Sequence, residues 1–206
     1  MPEMVGLGEN MSIPSLEQEV RTLFRQRRLE YDDHSGSFTQ LDFGFGDDFS
    51  NRYFAFDVKE KRQPYNLRNW AATIPEAHFF ILDDLACRKI LLHSPNAGLL
   101  VRDTPQQRYL FFTVVDLFLM PKKRVNRAIR RTQQEWKGKW LIDLRNGRPL
   151  SRLDELLTAI DDYLDRRKAI FHETHECYGD YVGEEIGKGG IERRPEHWNK
   201  DFGATR

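Results

Sequence analysis

The stretch "RYFAFDVKEKRQ", residues 52–63, turns from aromatic to charged within two positions. Tyr53, Phe54, Ala55 and Phe56 have the short, aromatic-rich character of a strand, and the turn-like "GDDFSN" bounds them upstream. Side chains two apart on a strand point the same way, so a strand ending in Asp57-x-Lys59 carries a carboxylate and an ammonium on one face. Such a pair is either a surface salt bridge or half of a metal-dependent phosphodiesterase site.

The preceding segment narrows the choice. "SFTQLDFGFG" (37–46) reads as a second strand and "DDFSN" as a turn, so the two strands form a hairpin. With the turn centred near Asp48–Phe49, Phe45 or Gly46 faces Tyr53, and Asp42 falls opposite Asp57. Directly opposed residues of an antiparallel pair have Cβ atoms roughly 5 Å apart. Two carboxylates then converge at the open end of the hairpin, with Lys59 one pleat further on. Asp47 and Asp48 sit at the turn, too distant to join them. Opposed like charges destabilise a sheet unless something neutralises them, and a divalent cation does so. Mg²⁺ is typically held by one or two carboxylates together with substrate phosphate and water. It lowers the pKa of bound water, and a neighbouring ammonium orients that water or offsets developing charge. The competing reading is a cross-strand charge cluster on the surface.

The composition allows one well-filled core, with 206 residues, 39% apolar and 31% charged. No run approaches a membrane span, and "LFFTVVDLFLM" (110–120), interrupted by Thr113 and Asp116, reads as a buried strand. Cys87 and Cys177 lie far apart, which points to a reducing, cytoplasmic setting without a disulfide framework. Net charge is zero, but basic residues cluster in "RQRR" (25–28), "KEKR" (59–62) and "PKKRVNRAIRR" (121–131).

Residues 1–13 read as a flexible arm. "PSLEQEVRTLFRQRR" reads as a helix with Ser15 as N-cap, Gln18 three residues on, and Leu16, Val20, Leu23 and Phe24 on one face. A short helix is expected in "NLRNWAAT" (66–73), a strand in "HFFILD" (78–83) and a helix in "DLACRKILLH". Further strands are expected in "GLLVRD", "RYLFFTVVDLFLM" and "KWLIDL" (139–144), and an amphipathic helix over 151–173. "KKRVNRAIRR" reads as a helix with Lys123, Arg127 and Arg130 on one face and Val125 and Ile129 opposite, suited either to tracking a phosphate backbone or to being a solvated face. "HETHEC" (172–177) offers His172, His175 and Cys177 as zinc ligands, without an evident fourth. Residues 178–206 are rich in glycine and charge and read as a tail, mobile or ordered by a partner.

Glu17-x-x-Val20-x-x-x-Phe24 on a helix, then "QLDFGF", then "FAFDVKEK" resembles the PD-(D/E)XK nuclease superfamily. The resemblance covers about residues 15–63, with "HFFILD" similar to the strand that follows. It implies an α/β, restriction-endonuclease-like domain over 14–177: an α-β-β-β-α-β core with a mixed central sheet flanked by helices, plus additional C-terminal helices. It implies Mg²⁺-dependent cleavage of DNA, with Mn²⁺ as a substitute, Asp42 and Asp57 as metal ligands, Lys59 serving the attacking water, and Glu17 as an accessory helix carboxylate, for which Glu19 competes. Lys61, Arg62 and Gln63 are then expected at the DNA with Lys123, Arg127 and Arg130, and a homodimer is compatible. Two positions depart from the pattern. Leu41 stands where proline often precedes the first Asp, and Leu67 stands where a RecB-type Gln63-x-x-x-Tyr would have its tyrosine. The rivals are a catalytically inactive nucleic-acid-binding or interaction module with the same fold, and a zinc hydrolase centred on His172 and His175.

Overall fold

The computed structural model describes residues 13–46, 52–70, 72–128, 136–172 and 181–183. The first helix, α1 (Leu16–Arg27), starts at Ser15, whose hydroxyl accepts the Gln18 amide while the Gln18 side chain accepts the Ser15 amide. This capping box fixes the start of the helix, and Leu16, Val20, Leu23 and Phe24 are its buried stripe. Three strands follow as an antiparallel meander: β1 (Tyr31–Asp33), β2 (Phe43–Phe45) and β3 (Phe54–Lys61). The second strand is much shorter than the expected 37–46. Ser37 Oγ accepts the Thr39 and Gln40 amides, which folds 37–40 into a turn instead. Gly46 ends the strand at φ 109°, where a Cβ would lie 2.4 Å from the Arg52 carbonyl oxygen, so glycine is required.

After β3 the chain makes a 3₁₀ turn at Leu67–Asn69, where a longer helix was expected. It then forms β4 (Phe79–Asp83), α2 (Asp84–Leu92) and β5 (Ala97–Asp103), and β5 lies parallel to β3. A parallel neighbour needs a crossover, and α2 supplies it. Next come β6 (Arg108–Thr113), α3 (Val114–Leu119), β7 (Lys122–Ala128), β8 (Trp136–Asp143), β9 (Arg148–Leu150) and α4 (Glu155–His172). The six-stranded mixed sheet has the order β1-β2-β3-β5-β6-β9, and β4-β8-β7 form a separate three-stranded sheet. In chain order the first elements are α1, β1, β2, β3, β4, α2 and β5, and without β4 the large sheet and its helices follow α1, β1, β2, β3, α2 and β5. The "HFFILD" strand stands outside it, in the small sheet.

Two expectations fail for a physical reason. Residues 110–120 are not one strand, because Thr113 and Asp116 form a second capping box and start α3 at Val114. Residues 122–128 are not helical, because Lys122–Ala128 pairs residue for residue with Trp136–Ile142 of β8. With strand alternation, Val125 lies on the same face as Lys123 and Arg127 rather than opposite them.

The core fills both faces of the large sheet. Phe24 of α1 packs on Phe43, Phe45 and Phe56, with ring centroids 5.2–6.3 Å apart, and Phe54 meets Tyr163 of α4 at 6.0 Å. On the opposite face α2 packs against β3 and β5, and it also contacts β4 and β8 of the small sheet. Within the segment read as a tail, Tyr181 and Val182 are tied back: the Tyr181 hydroxyl donates to Asp116, and Val182 and Asn146 exchange two hydrogen bonds. No helix among the described residues is long and apolar enough to cross a membrane.

Candidate functional site

The even positions of β3 (Phe54, Phe56 and Val58) are buried, on the face that receives α1 and α4. The odd positions (Asp57, Lys59 and Lys61) point to the α2 side. The register Phe43↔Phe56, Gly44↔Ala55 and Phe45↔Phe54 carries one step further to set Asp42 across from Asp57. Asp42 Oδ2 accepts the Val58 amide at 2.8 Å, which fixes its carboxylate beside β3. Lys59 Nζ lies 2.6 Å from Asp57 Oδ2 and 3.5 Å from Asp42 Oδ2. Asp42, Asp57 and Lys59 share the wall of a cavity of about 480 Å³, bounded by the 35–38 turn, the first turn of α2, and Lys137 and Gly138 of β8.

Asp57 is fully buried. Its Oδ2 is paired with the Lys59 ammonium, which has a further N–H to donate to the Val58 carbonyl at 2.8 Å. Burial, and then the charge of Asp57, push Asp42 up from 3.8 to about 6. Burial works against the Lys59 ammonium, but the charges of Asp57 and Asp42 outweigh it and hold its pKa above the usual value. Lys59 is therefore an ammonium at neutral pH, suited to electrostatic stabilisation and not to taking a proton.

A fourth residue completes the site and was missed in the sequence. Lys89 of α2 is buried, donates to the Gln40 carbonyl at 2.7 Å and to Asp57 Oδ1 at 3.2 Å. The signal was present: Lys89 lies on the stripe with Ala86, Cys87 and Ile90, the buried side of the helix. A lysine in that stripe needs a buried partner.

The other candidates lie elsewhere. Glu17 is half-buried at the start of α1, near Arg21 and Arg62, and does not line the cavity. Its competitor Glu19 is committed to Arg102 at 2.7 Å and Tyr109 at 2.9 Å. Lys61 is corrected outright. It is 1% exposed, with Nζ 2.7 Å from the Glu76 carbonyl and 2.9 Å from its carboxylate, so it is an internal clamp with no access to DNA. Arg62 is exposed and paired with Glu60 at 2.6 Å, and Gln63 is exposed outside the cavity. Lys123 and Arg127 are exposed on β7, and the Arg127 guanidinium stacks 4.2 Å above the Trp70 ring. Arg130, His175 and Cys177 lie outside the described residues, as does the side chain of His172.

The chain matches no protein-family model and no curated protein. Among solved structures it is similar to Archaeoglobus fulgidus Hjc, a Holliday junction resolvase from an archaeal hyperthermophile. That match has 12% identity and a TM-score of 0.38, over 68% of this chain and 98% of that one.

Proposed function

We propose that the protein is a Mg²⁺-dependent nuclease that hydrolyses phosphodiester bonds in DNA. The observation that carries this reading is the convergence of Asp42, Asp57 and Lys59 on one open cavity. Two features favour a hard cation there. The carboxylates are desolvated, and they sit close enough together for one ammonium, Lys59, to reach both, at 2.6 Å and 3.5 Å. Two carboxylates suffice for Mg²⁺ when phosphate and water fill the other positions, whereas zinc sites use more protein ligands. Among the described residues no cluster of three His, Cys, Asp or Glu side chains forms a metal cage.

Asp42 and Asp57 would hold the ion, which when bound lowers the pKa of a water and neutralises charge on phosphate. The protein's own residues do the rest. The Val58 amide and Lys89 hold the two carboxylates in place. The Lys59 ammonium faces the cavity, where it attracts the phosphate and offsets the charge that builds up on it. The test is cleavage of supercoiled, linear, branched and single-stranded DNA with Mg²⁺ or Mn²⁺, comparing wild type with Lys59→Ala. Loss of a group acting in the transition state should slow cleavage ~100-fold with DNA binding largely kept. Equal rates for the two proteins would leave the cluster as a salt bridge.

A further inference from the structure

The lining of the cavity includes two apolar side chains that are exposed among the described residues. Phe38 is 84% exposed and Leu85 is 54% exposed, and both line the cavity that holds Asp42, Asp57 and Lys59. Single exposed apolar residues are ordinary, but two flanking one charged cavity form a pattern. Phe38 is also held outward by a built loop. The His34 amide donates to the Asp42 carbonyl at 2.8 Å and the Ser37 amide to the His34 carbonyl at 2.7 Å. Arg21 grips Ser35 Oγ at 2.6 Å, Ser37 Oγ accepts two amides beyond Phe38, and Lys89 pins the Gln40 carbonyl. The loop is thus tied on both sides of Phe38, and its hydrogen bonds specify a conformation that presents the ring to solvent.

The charges inside the cavity complement the same occupant. Lys59, Lys89 and Lys137 line it beside the Asp42 and Asp57 carboxylates, with which Lys59 and Lys89 are paired. The other two acidic residues of the lining are also matched, Asp83 by Lys139 and Asp84 by Arg88, Arg124 and the Trp140 ring nitrogen. A cavity of about 480 Å³ lined by both charged and apolar side chains suits one nucleotide, with its phosphate at the lysines and its base against Phe38.

We propose that Phe38, in a cavity lined also by Leu85, is a stacking platform for an unpaired DNA base next to the phosphate bound at Lys59, so that the protein selects single-stranded or locally unpaired DNA over regular duplex. The proposal rests on the nuclease reading for the placement of the phosphate. A base inside a duplex has both faces covered by its neighbours and offers none to Phe38, whereas an unpaired base stacks on aromatic side chains without regard to sequence.

The experiment measures binding in Ca²⁺, without turnover, of a DNA strand bearing 2-aminopurine, alone and in full duplex. Wild type should prefer the single strand at least tenfold. Phe38→Ala should lose roughly tenfold or more on the single strand, the loss of one base–aromatic stack, with duplex affinity unchanged. Phe38→Trp should retain the preference and quench the 2-aminopurine emission. Phe38 is exposed, so these variants test the surface and not the fold. A Phe38→Ala protein that binds both DNAs as wild type does overturns the platform, even if Mg²⁺-dependent cleavage stands. A wild type that prefers the unpaired strand through Phe38 but never cleaves supports the platform and overturns the nuclease reading.

Discussion

Asp42 makes the metal-free protein less stable as pH rises through the weakly acidic range. Its carboxyl titrates at about 6 in the folded chain, against an ordinary value of 3.8 that the unfolded chain should show. Between those two pH values the folded state holds a proton that the unfolded state has released. The unfolded state then binds fewer protons, so stability falls as pH rises across the window. At 1.36 kcal/mol per pKa unit, the full loss is on the order of 3 kcal/mol. Asp42 is only 6% exposed, so solvent screening discounts little of it. Other groups lie outside the window or cancel in a comparison. Asp33, lowered to about 2 by its hydrogen bond from Arg21, loses its contribution only below 3.8. Lys59, raised from 10.5, matters only in strong alkali.

Asp42→Asn imitates the protonated carboxyl and keeps an oxygen for the Val58 amide. In EDTA it should match wild type near pH 4 and exceed it by about 3 kcal/mol at pH 7. Urea unfolding of both proteins at half-unit steps from pH 4 to 7.5 reads the difference directly. Mn²⁺ should raise wild-type stability at pH 7 and leave Asp42→Asn nearly unchanged, since only the wild type has the second carboxylate for the ion. A wild-type minus variant difference that stays flat across the window would refute the account of Asp42 as a desolvated carboxylate repelled by Asp57.

Lys61→Ala removes a buried ammonium from the Glu76 carbonyl and carboxylate, and should cost about 2–3 kcal/mol in urea unfolding with little effect on DNA affinity. Lys89→Gln keeps a donor for Gln40 but removes the cation beside Asp57. It should tighten Mn²⁺ binding to the metal-free protein severalfold, and unchanged Mn²⁺ affinity would place the ion away from Asp57. If the exposed Lys123 and Arg127 each contact a phosphate, replacing both with Ala should flatten the slope of log affinity against log salt by about 2 for duplex DNA. An unchanged slope would leave β7 as a solvated edge.

The hairpin was legible because its information is local. Aromatic alternation and a turn of countable length set the register, and the register alone places Asp42 against Asp57. α1 and α4 were legible for the same reason, each carrying an apolar stripe at helical spacing. The failures arise where a distant partner decides. Residues 122–128 have too few apolar positions for a period to show, and pairing with β8 makes them a strand. Lys61 looked like part of a basic patch, and only the return of Glu76 to its side shows it to be interior. Thr113 and Asp116 were noticed as interruptions of a strand, although Thr-x-x-Asp is itself a helix-start signal. Lys89 depended on reading a charge in a helix stripe as a demand for a buried partner.

The same alternation that makes β3 a strand also ties its chemistry to its stability. Phe54, Phe56 and Val58 fill the core on one face, so Asp57 and Lys59 are committed to the other, in the centre of a sheet covered by α2. A carboxylate buried there needs compensation, and the sequence provides two ammonium groups, one from the strand itself and one from the covering helix. The helix cannot pack without bringing Lys89 to Asp57, and Lys89 also fixes the loop that presents Phe38. Changes at Asp57 must therefore be read through the fold before they are read as chemistry. Asp57→Ala leaves two lysines facing a cavity in the core, whereas Asp57→Asn keeps the shape and an acceptor. Only a variant that retains the wild-type unfolding midpoint can report on the site alone.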